Sequence, residues 1–269
     1  MNGSRDPGRS LRHRRGIYLL PNLFTTGALF AGFYAIVTAM DGHFVAAAIA
    51  VFVAMVLDGI DGRVARMTQT QSAFGAEYDS LSDMVSFGLA PALVMYQWSL
   101  IHLHDFGWFG VKVSWLVAFF YAAAAALRLA RFNTRIAVAD KRFFQGLPSP
   151  TAAAVMMGTV WVAEQFRISG ESLMLPAIAI TLLTGGLMVS NLSYYSFKDI
   201  DLRKRVPFMA VLSVLGVFVL IALWPSIVLY ALFMAYTLSG LLLSVWRHWR
   251  KRRRRAAEDS PSEDSHPHS

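Results

Sequence analysis

Cysteine is absent from the 269-residue chain, which excludes disulfides, thiolate nucleophiles and thiolate-bound metals. Charge is scarce as well: 16% of residues are Asp, Glu, Lys or Arg, against 55% that are hydrophobic. Between residues 17 and 246 no polar stretch is long enough to build a soluble domain, and no internal repeat is evident. What fills that interval is a series of apolar runs near the roughly 20 residues that a helix needs to cross a bilayer. Eight spans are expected, at about 20–40, 43–62, 81–101, 113–130, 149–163, 173–192, 207–223 and 227–246. The fold class that follows is an all-α integral membrane protein, a polytopic helical bundle.

The few charges are placed unevenly. Of the 25 lysines and arginines, all but Lys112 and Arg167 fall before Ile17, at Arg63 and Arg66, in Arg128–Arg142, in Lys198–Arg205 or in Arg247–Arg255. Loops rich in Lys and Arg stay on the cytoplasmic side, so both termini are expected there, in the cell membrane. The net charge of +8 therefore reports topology and contact with anionic lipid, and gives no reason to expect a nucleic-acid partner. Residues 1–16 read as a disordered basic N-terminal tail, 17–246 as the transmembrane domain, and 247–269 as a basic juxtamembrane segment with a disordered C-terminal tail. The first apolar run lacks a small-residue cleavage site and is expected to remain as a helix. His102, His104 and Asp105 lie in an alternate loop without a further ligand set, and a solvated loop is expected.

Four acids break the apolar pattern. Asp58 and Asp61, then Asp79 and Asp83, stand at the edges of the runs Val45–Leu57 and Met84–Met95. A charged side chain in a bilayer costs about 2.5–3.5 kcal/mol even on insertion scales, so four together need compensation. Oxygen ligands suit Mg2+ or Mn2+, and two such ions would balance the four carboxylates. Spacings of three and four place each pair on one face of its own helix, so two facing helices would form a carboxylate cage at the cytoplasmic surface. Gly62 and Gly75 let a flat base or a phosphate approach the backbone, Ala65 lies two turns from Asp58 on the same face, and Arg66 can fork onto phosphate oxygens.

The segment from Asp58 to Asp83 resembles the signature of the CDP-alcohol phosphotransferase family, Asp-x-x-Asp-Gly-x-x-Ala-Arg, eight residues, Gly-x-x-x-Asp-x-x-x-Asp. Asp58, Asp61, Gly62, Ala65, Arg66, Gly75, Asp79 and Asp83 fill its eight fixed positions. The resemblance implies transfer of a lipid phosphate from a CDP-linked lipid to an alcohol, with release of CMP. It implies that Asp58, Asp61 and Asp79 are the core metal ligands and that Asp83 is the general base, with Asp83 also touching a metal. It further implies nucleotide contacts from Ser72, in the connecting loop, and from Asn22 of the segment Pro21-Asn22-Leu23-Phe24-Thr25, and suggests a homodimer.

Three more segments resemble the phosphatidylserine synthase branch of that family: Ser86-Phe87-Gly88-Leu89-Ala90-Pro91, Arg128-Leu129-Ala130-Arg131-Phe132-Asn133 and Phe144-Gln145-Gly146-Leu147-Pro148-Ser149-Pro150. They imply CDP-diacylglycerol and L-serine as substrates. Arg128, Arg131 and Asn133 fall at the membrane level of the aspartates, and one or both arginines could hold the serine carboxylate or a donor phosphate. Glycerol phosphate and inositol phosphate remain alternative acceptors, because the eight-position signature is common to enzymes using either. A divalent-cation transporter is the reading of another class, since acids in membrane helices also mark ion paths. A transporter would carry its acids near mid-membrane and has no need of Gly62, Ala65 and Arg66 beside them.

Overall fold

Alanine and other small residues line the helix contacts, which lets backbones approach closely where lipid gives little driving force between helices. In the computed structural model, which describes residues 7–68, 70, 72–135, 143–195 and 208–258, the chain is helical apart from two short strands. Helix α1 runs Pro7–Met40 and α2 Phe44–Met67. The third helix begins as α3, Ala73–Asp83, continues through a π-helical turn at Met84–Leu89 and ends as α4, Ala90–Trp98. After a 3₁₀ turn at Leu100–Phe106 come α5, Gly107–Arg135, and α6, Ser149–Gln165, with β1, Phe143–Gln145, between them. Helix α7, Met174–Val189, leads to β2, Ser193–Tyr195; α8, Phe208–Leu223, and α9, Pro225–Glu258, complete the order.

Among the described residues four helical stretches are long and apolar enough to cross a membrane: Pro21–Met40, Phe44–Met67, Leu100–Thr134 and Pro225–Leu243. Met174–Val189 and Val211–Leu223 are shorter apolar helices. Large apolar side chains such as Phe30, Phe33, Val56, Phe119 and Phe218 face outward, as lipid contact requires. Three boundaries differ from expectation. The third helix starts at Ala73 and not near 81, because Ser72 caps it by accepting a hydrogen bond from the Gly75 amide at 3.0 Å. Residues 7–16, read as tail, extend α1, and α9 carries its helix through the basic run to Glu258; 1–6 and 259–269 lie outside the described residues.

Helix α6 is the buried centre, with Ala152, Ala153, Met156, Met157 and Val160 inaccessible among α2, α4, α7 and α9. At the aspartate end, β1 and β2 pair antiparallel, with Phe144 opposite Tyr194. Gly146 follows β1 with φ +82°, and its amide donates to the Leu192 carbonyl at 2.8 Å, turning the chain sharply into α6. At the other end His104 has partners where a solvated loop was expected: its Nε2 lies 3.2 Å from both Tyr96 Oη and Ser114 Oγ.

The contact of α1 with the third helix is the tightest near the aspartates. Ser82 and Ser86 hydroxyls donate to the Thr25 and Ala28 carbonyls at 3.1 and 3.0 Å. A Cβ at Gly32 would lie 2.7 Å from the Ser86 Cα, so only glycine fits there. Gly32→Val is expected to cost about 1–3 kcal/mol through overpacking against backbone. Thermal unfolding of the detergent-solubilised protein checks this, and an unchanged midpoint would show that the two helices can separate freely.

Candidate active site

Helical spacing puts Asp58 and Asp61 on one face of α2, and Asp79 and Asp83 on one face of the third helix. The fold turns these faces toward each other. Carboxylate oxygens of Asp58, Asp61 and Asp79 all lie within 4.8 Å of one another, and the Asp83 carboxyl meets that of Asp58 side chain to side chain. The cage read from spacing is thus assembled in space, with all four aspartates in one cluster.

The cluster is largely shielded from water. Asp61 is 5% exposed, and one oxygen of Asp79, Oδ1, is buried without a hydrogen-bond donor. Asp79 sits on α3, outside the apolar spans, where burial and then the charges of Asp58 and Asp61 push its carboxyl up to about 7. A buried carboxylate oxygen that lacks a donor, next to two more carboxylates, needs positive charge. An all-oxygen acidic donor set of this kind fits a hard divalent cation.

One residue of the cluster was missed at the sequence level. Thr25 of α1 donates its hydroxyl to Asp61 Oδ2 at 2.8 Å and also lies 3.2 Å from the Pro21 carbonyl. A hydroxyl that orients a ligating carboxylate tunes the site from outside the ligand set. Its signal was present in the segment Pro21–Thr25, from which only Asn22 was carried forward.

Of the predicted nucleotide residues, Asn22, Ser72 and Gly75 come together between α1 and α3. A Cβ on Gly75 would lie 3.1 Å from Ser72 Oγ and 3.6 Å from Asn22 Oδ1, so these three residues share one small space. Ser72 is at the same time the α3 cap, which explains a serine there by local structure alone. Thr26 Oγ1 lies 2.9 Å from Tyr78 Oη and closes the outer edge of that space. Gly62 and Ala65 are half-buried on α2 and Arg66 is exposed in its last turn. A Cβ on Gly62 would meet only the Arg66 guanidinium at 3.7 Å, leaving its backbone open to approach.

The three acceptor candidates separate. Arg128 turns inward: its Nη1 donates to Ser149 Oγ at 2.7 Å, its buried Nε has no hydrogen-bond partner, and Asp83 is within electrostatic reach. Arg131 turns to the end of α7, donating to the Val189 carbonyl at 3.1 Å and to Asn191 Oδ1 at 2.7 Å. Asn133 donates to Ser80 Oγ at 3.0 Å, beside Asp79. The π-helical turn after Asp83 has its own support, because Tyr121 donates its hydroxyl to the Phe87 carbonyl at 3.0 Å. Such turns occur often at functional sites.

Comparison with known proteins places this geometry. Residues 18–192 match the family model described as CDP-alcohol phosphatidyltransferase. A CDP-diacylglycerol–serine O-phosphatidyltransferase of Helicobacter pylori is 37% identical over 203 residues, covering 76% of this chain and 83% of its own length. One of Mycobacterium bovis is 42% identical over 163 residues, covering 58% and 54% respectively. An archaetidylserine synthase of Methanothermobacter thermautotrophicus is 33% identical over 177 residues, 65% of this chain and 69% of its own.

Asp79→Asn and Thr25→Val are both expected to weaken divalent-cation binding. Loss of a ligand oxygen at Asp79 should abolish measurable Mn2+ binding, while loss of the hydroxyl to Asp61 should lower affinity roughly 10–100-fold. Titration calorimetry of the purified protein with Mn2+ reads both, and wild-type affinity in either variant would remove that residue from the site.

Proposed function

The chain belongs to the CDP-alcohol phosphatidyltransferase family, and from that membership and the geometry of the cluster we propose that it transfers a phosphatidyl group from CDP-diacylglycerol to the hydroxyl of L-serine, giving phosphatidylserine and CMP. The observation that carries the reading is the cluster of four aspartates on two facing helices, with nucleotide-type residues on one flank and the inward Arg128 on the other. The serine acceptor is supported by the activity for which the relatives from Helicobacter and Mycobacterium are named. The archaeal relative, named for an archaetidyl lipid, leaves the lipid part of the donor as a property of the particular enzyme.

Asp58, Asp61 and Asp79, with Asp83 at their edge, would hold the divalent cations, Mg2+ or Mn2+ and two in number. When bound, these supply charge neutralisation and Lewis-acid polarisation of the donor pyrophosphate. The chain's own residues do the rest. Asn22, Ser72 and Gly75, with Gly62, Ala65 and Arg66 across from them, receive the cytidine and its phosphates, small residues giving the space and Arg66 a forked donor. Asp83 takes the proton from the serine hydroxyl, whose oxygen forms a bond to the phosphorus nearest the lipid. The bond from that phosphorus to the bridging oxygen breaks, and CMP leaves with that oxygen. Arg128, turned inward with its Nη1 on Ser149 and within electrostatic reach of Asp83, receives the serine carboxylate. Arg131, tied to Val189 and Asn191, holds the end of α7 against α5, and Asn133 steadies α3 through Ser80.

The same reading places residues 17–246 in the cell membrane as one domain of eight spans, with both termini and the aspartate cluster on the cytoplasmic side, where CDP-linked donors and serine are found. Glycerol phosphate or inositol phosphate would bring a second phosphate. Among the described residues, Arg131 is engaged at Asn191 and Arg128 is the guanidinium turned inward, an arrangement that supports a single carboxylate.

The test is CMP release and lipid product from purified protein, CDP-diacylglycerol and Mn2+ with each candidate alcohol; product with glycerol phosphate and none with serine would overturn the acceptor. Within that assay, Asp83→Asn is expected to lower single-turnover lipid formation by roughly 10²–10⁴-fold with donor affinity changed far less. A proportional collapse of both would make Asp83 a metal ligand alone. Ala65→Trp should instead abolish binding of the CDP-lipid in a folded protein, since a ring two turns from Asp58 fills the nucleotide slot; unchanged affinity would place the nucleotide elsewhere.

A further inference from the structure

Two adjacent threonines of α1 point in different directions, about 100° apart around the helix. Thr25 is buried and donates to Asp61. Thr26 is exposed and meets α3, its Oγ1 lying 2.9 Å from Tyr78 Oη. The same oxygen lies 2.7 Å from the Asn22 carbonyl, one turn back along α1. A hydroxyl carries one hydrogen and a carbonyl only accepts. The Thr26 hydrogen therefore goes to Asn22, and the Tyr78 phenol donates to Thr26. A short relay of hydrogen bonds thus runs from Tyr78 on α3, through Thr26, to the backbone of Asn22 on α1.

This relay stands one turn from the space shared by Asn22, Ser72 and Gly75. Asn22 precedes Thr26 by four residues and Gly75 precedes Tyr78 by three, so each pair shares a helix face. At the first turn the two helices face each other across a glycine, where a Cβ would lie 3.6 Å from Asn22 Oδ1 and 3.1 Å from Ser72 Oγ. At the next turn they are tied by hydroxyls. The Phe74 ring stacks on that of Tyr78, with centroids 5.9 Å apart and planes at 14°, and braces the phenol from its own helix. Ser82 and Ser86 tie the same helices at Thr25 and Ala28, one and two turns beyond Tyr78. Loss of the Tyr78 hydroxyl would leave those two bonds beside the aspartates in place and free only the edge next to Asn22 and Gly75.

We infer that Tyr78 is a positioning residue for the CDP-linked donor: by donating to Thr26 it fixes the spacing of Asn22 and Gly75, between which the nucleotide is received. The inference rests on the function proposed above and adds to it the contact that sets the width of the donor slot. Tyr78 and Thr26 lie outside the eight fixed positions of the aspartate signature. Their action is on the slot alone, so cation affinity and use of the acceptor should be indifferent to their loss.

The experiment is titration calorimetry of the full chain in detergent, first with Mn2+ and then with CDP-diacylglycerol at saturating Mn2+, beside steady-state kinetics in serine. Tyr78→Phe keeps the ring and its stack on Phe74 and removes the hydroxyl. Its Kd for CDP-diacylglycerol is expected to rise about three- to tenfold, the net worth of one hydrogen bond. Mn2+ affinity and KM for serine should stay within about twofold of wild type. Thr26→Val breaks the relay from the other helix and should show the same selective loss, which decides the matter if Tyr78→Phe does not fold. Thr26→Ser restores the hydroxyl and should keep donor affinity within about twofold. Combining Tyr78→Phe with Thr26→Val should cost no more than the worse of the two alone, because one contact is removed. An unchanged donor Kd in folded Tyr78→Phe or Thr26→Val, an equal loss of Mn2+ affinity or rise in serine KM, a Thr26→Ser variant as impaired as Thr26→Val, or additive losses would overturn the inference. The wild type tells the two readings apart. If it binds no CDP-diacylglycerol with Mn2+ present, the donor reading fails and the role of Tyr78 with it. If it makes lipid only with another alcohol, the serine reading fails and the donor titrations still decide the role of Tyr78.

Discussion

Mutual repulsion among four carboxylates is the constraint around which the rest of the structure is arranged. Two like charges about 4 Å apart near a protein surface repel by roughly 4 kcal/mol, and here Asp58, Asp61 and Asp79 crowd within 4.8 Å with Asp83 against them. Nothing apolar can stabilise such a group, and water is largely excluded from it. The helices that carry the acids must therefore be held together by contacts elsewhere. Helix α1 bridges them: the Ser82 and Ser86 hydroxyls on α1 carbonyls and the glycine contact at Gly32 hold the third helix to α1, which also packs along α2. Thr25 joins the two requirements, since its carbonyl receives Ser82 while its hydroxyl donates to Asp61. A cluster destabilised when bare and held in shape from behind is organised for cations before they arrive, which is how a site avoids paying for rearrangement at each turnover.

The same arrangement divides the surroundings in two. Between α1 and α3 the residues are small or short, Gly75, Ser72 and Asn22, and on α2 the backbone at Gly62 is open. Close approach of a planar base and a phosphate needs that lack of bulk. On the proposed reading the opposite flank centres on Arg128, which donates to Ser149, with Tyr121 on the carbonyl of Phe87 in the π-helical turn after Asp83. Asp83 lies where the flanks meet, on the last turn before the π-helical segment, so it can face an acceptor held by one while its neighbours face the donor held by the other.

Much of the first flank was legible in the sequence. Asp58, Asp61, Asp79 and Asp83 lie within 26 positions, their helical spacing fixes which way each pair points, and the apolar runs fix where their helices lie in the membrane. The start of the third helix was less legible, because Ala73–Asp83 is too polar to register as part of an apolar span and is helical through its Ser72 cap and its packing on α1. The π-helical turn left no periodic trace either; its six residues read as ordinary apolar helix. Thr25 could have been found from the Pro21–Thr25 segment. The separation of Arg128 from Arg131 could not, since three residues along a helix share a face and only the tertiary partners, Ser149 for one and Asn191 for the other, draw them apart.

That difference follows from how the two flanks are built. The donor side comes from α1, α2 and α3, consecutive in sequence, so a fixed spacing of residues maps onto a fixed geometry and a signature exists to be read. The acceptor side, on the proposed reading, centres on Arg128 of α5 and Ser149 at the entry to α6, elements outside that signature and at no set distance from it. Enzymes that use one donor with many alcohols need the first flank constant and the second free to vary. A pocket assembled from distant helices provides that freedom, because on the proposed reading a change at Ser149 would alter what Arg128 can receive without moving an aspartate. Acceptor choice would then be a tertiary property, set by what packs around Arg128 as much as by the arginine itself.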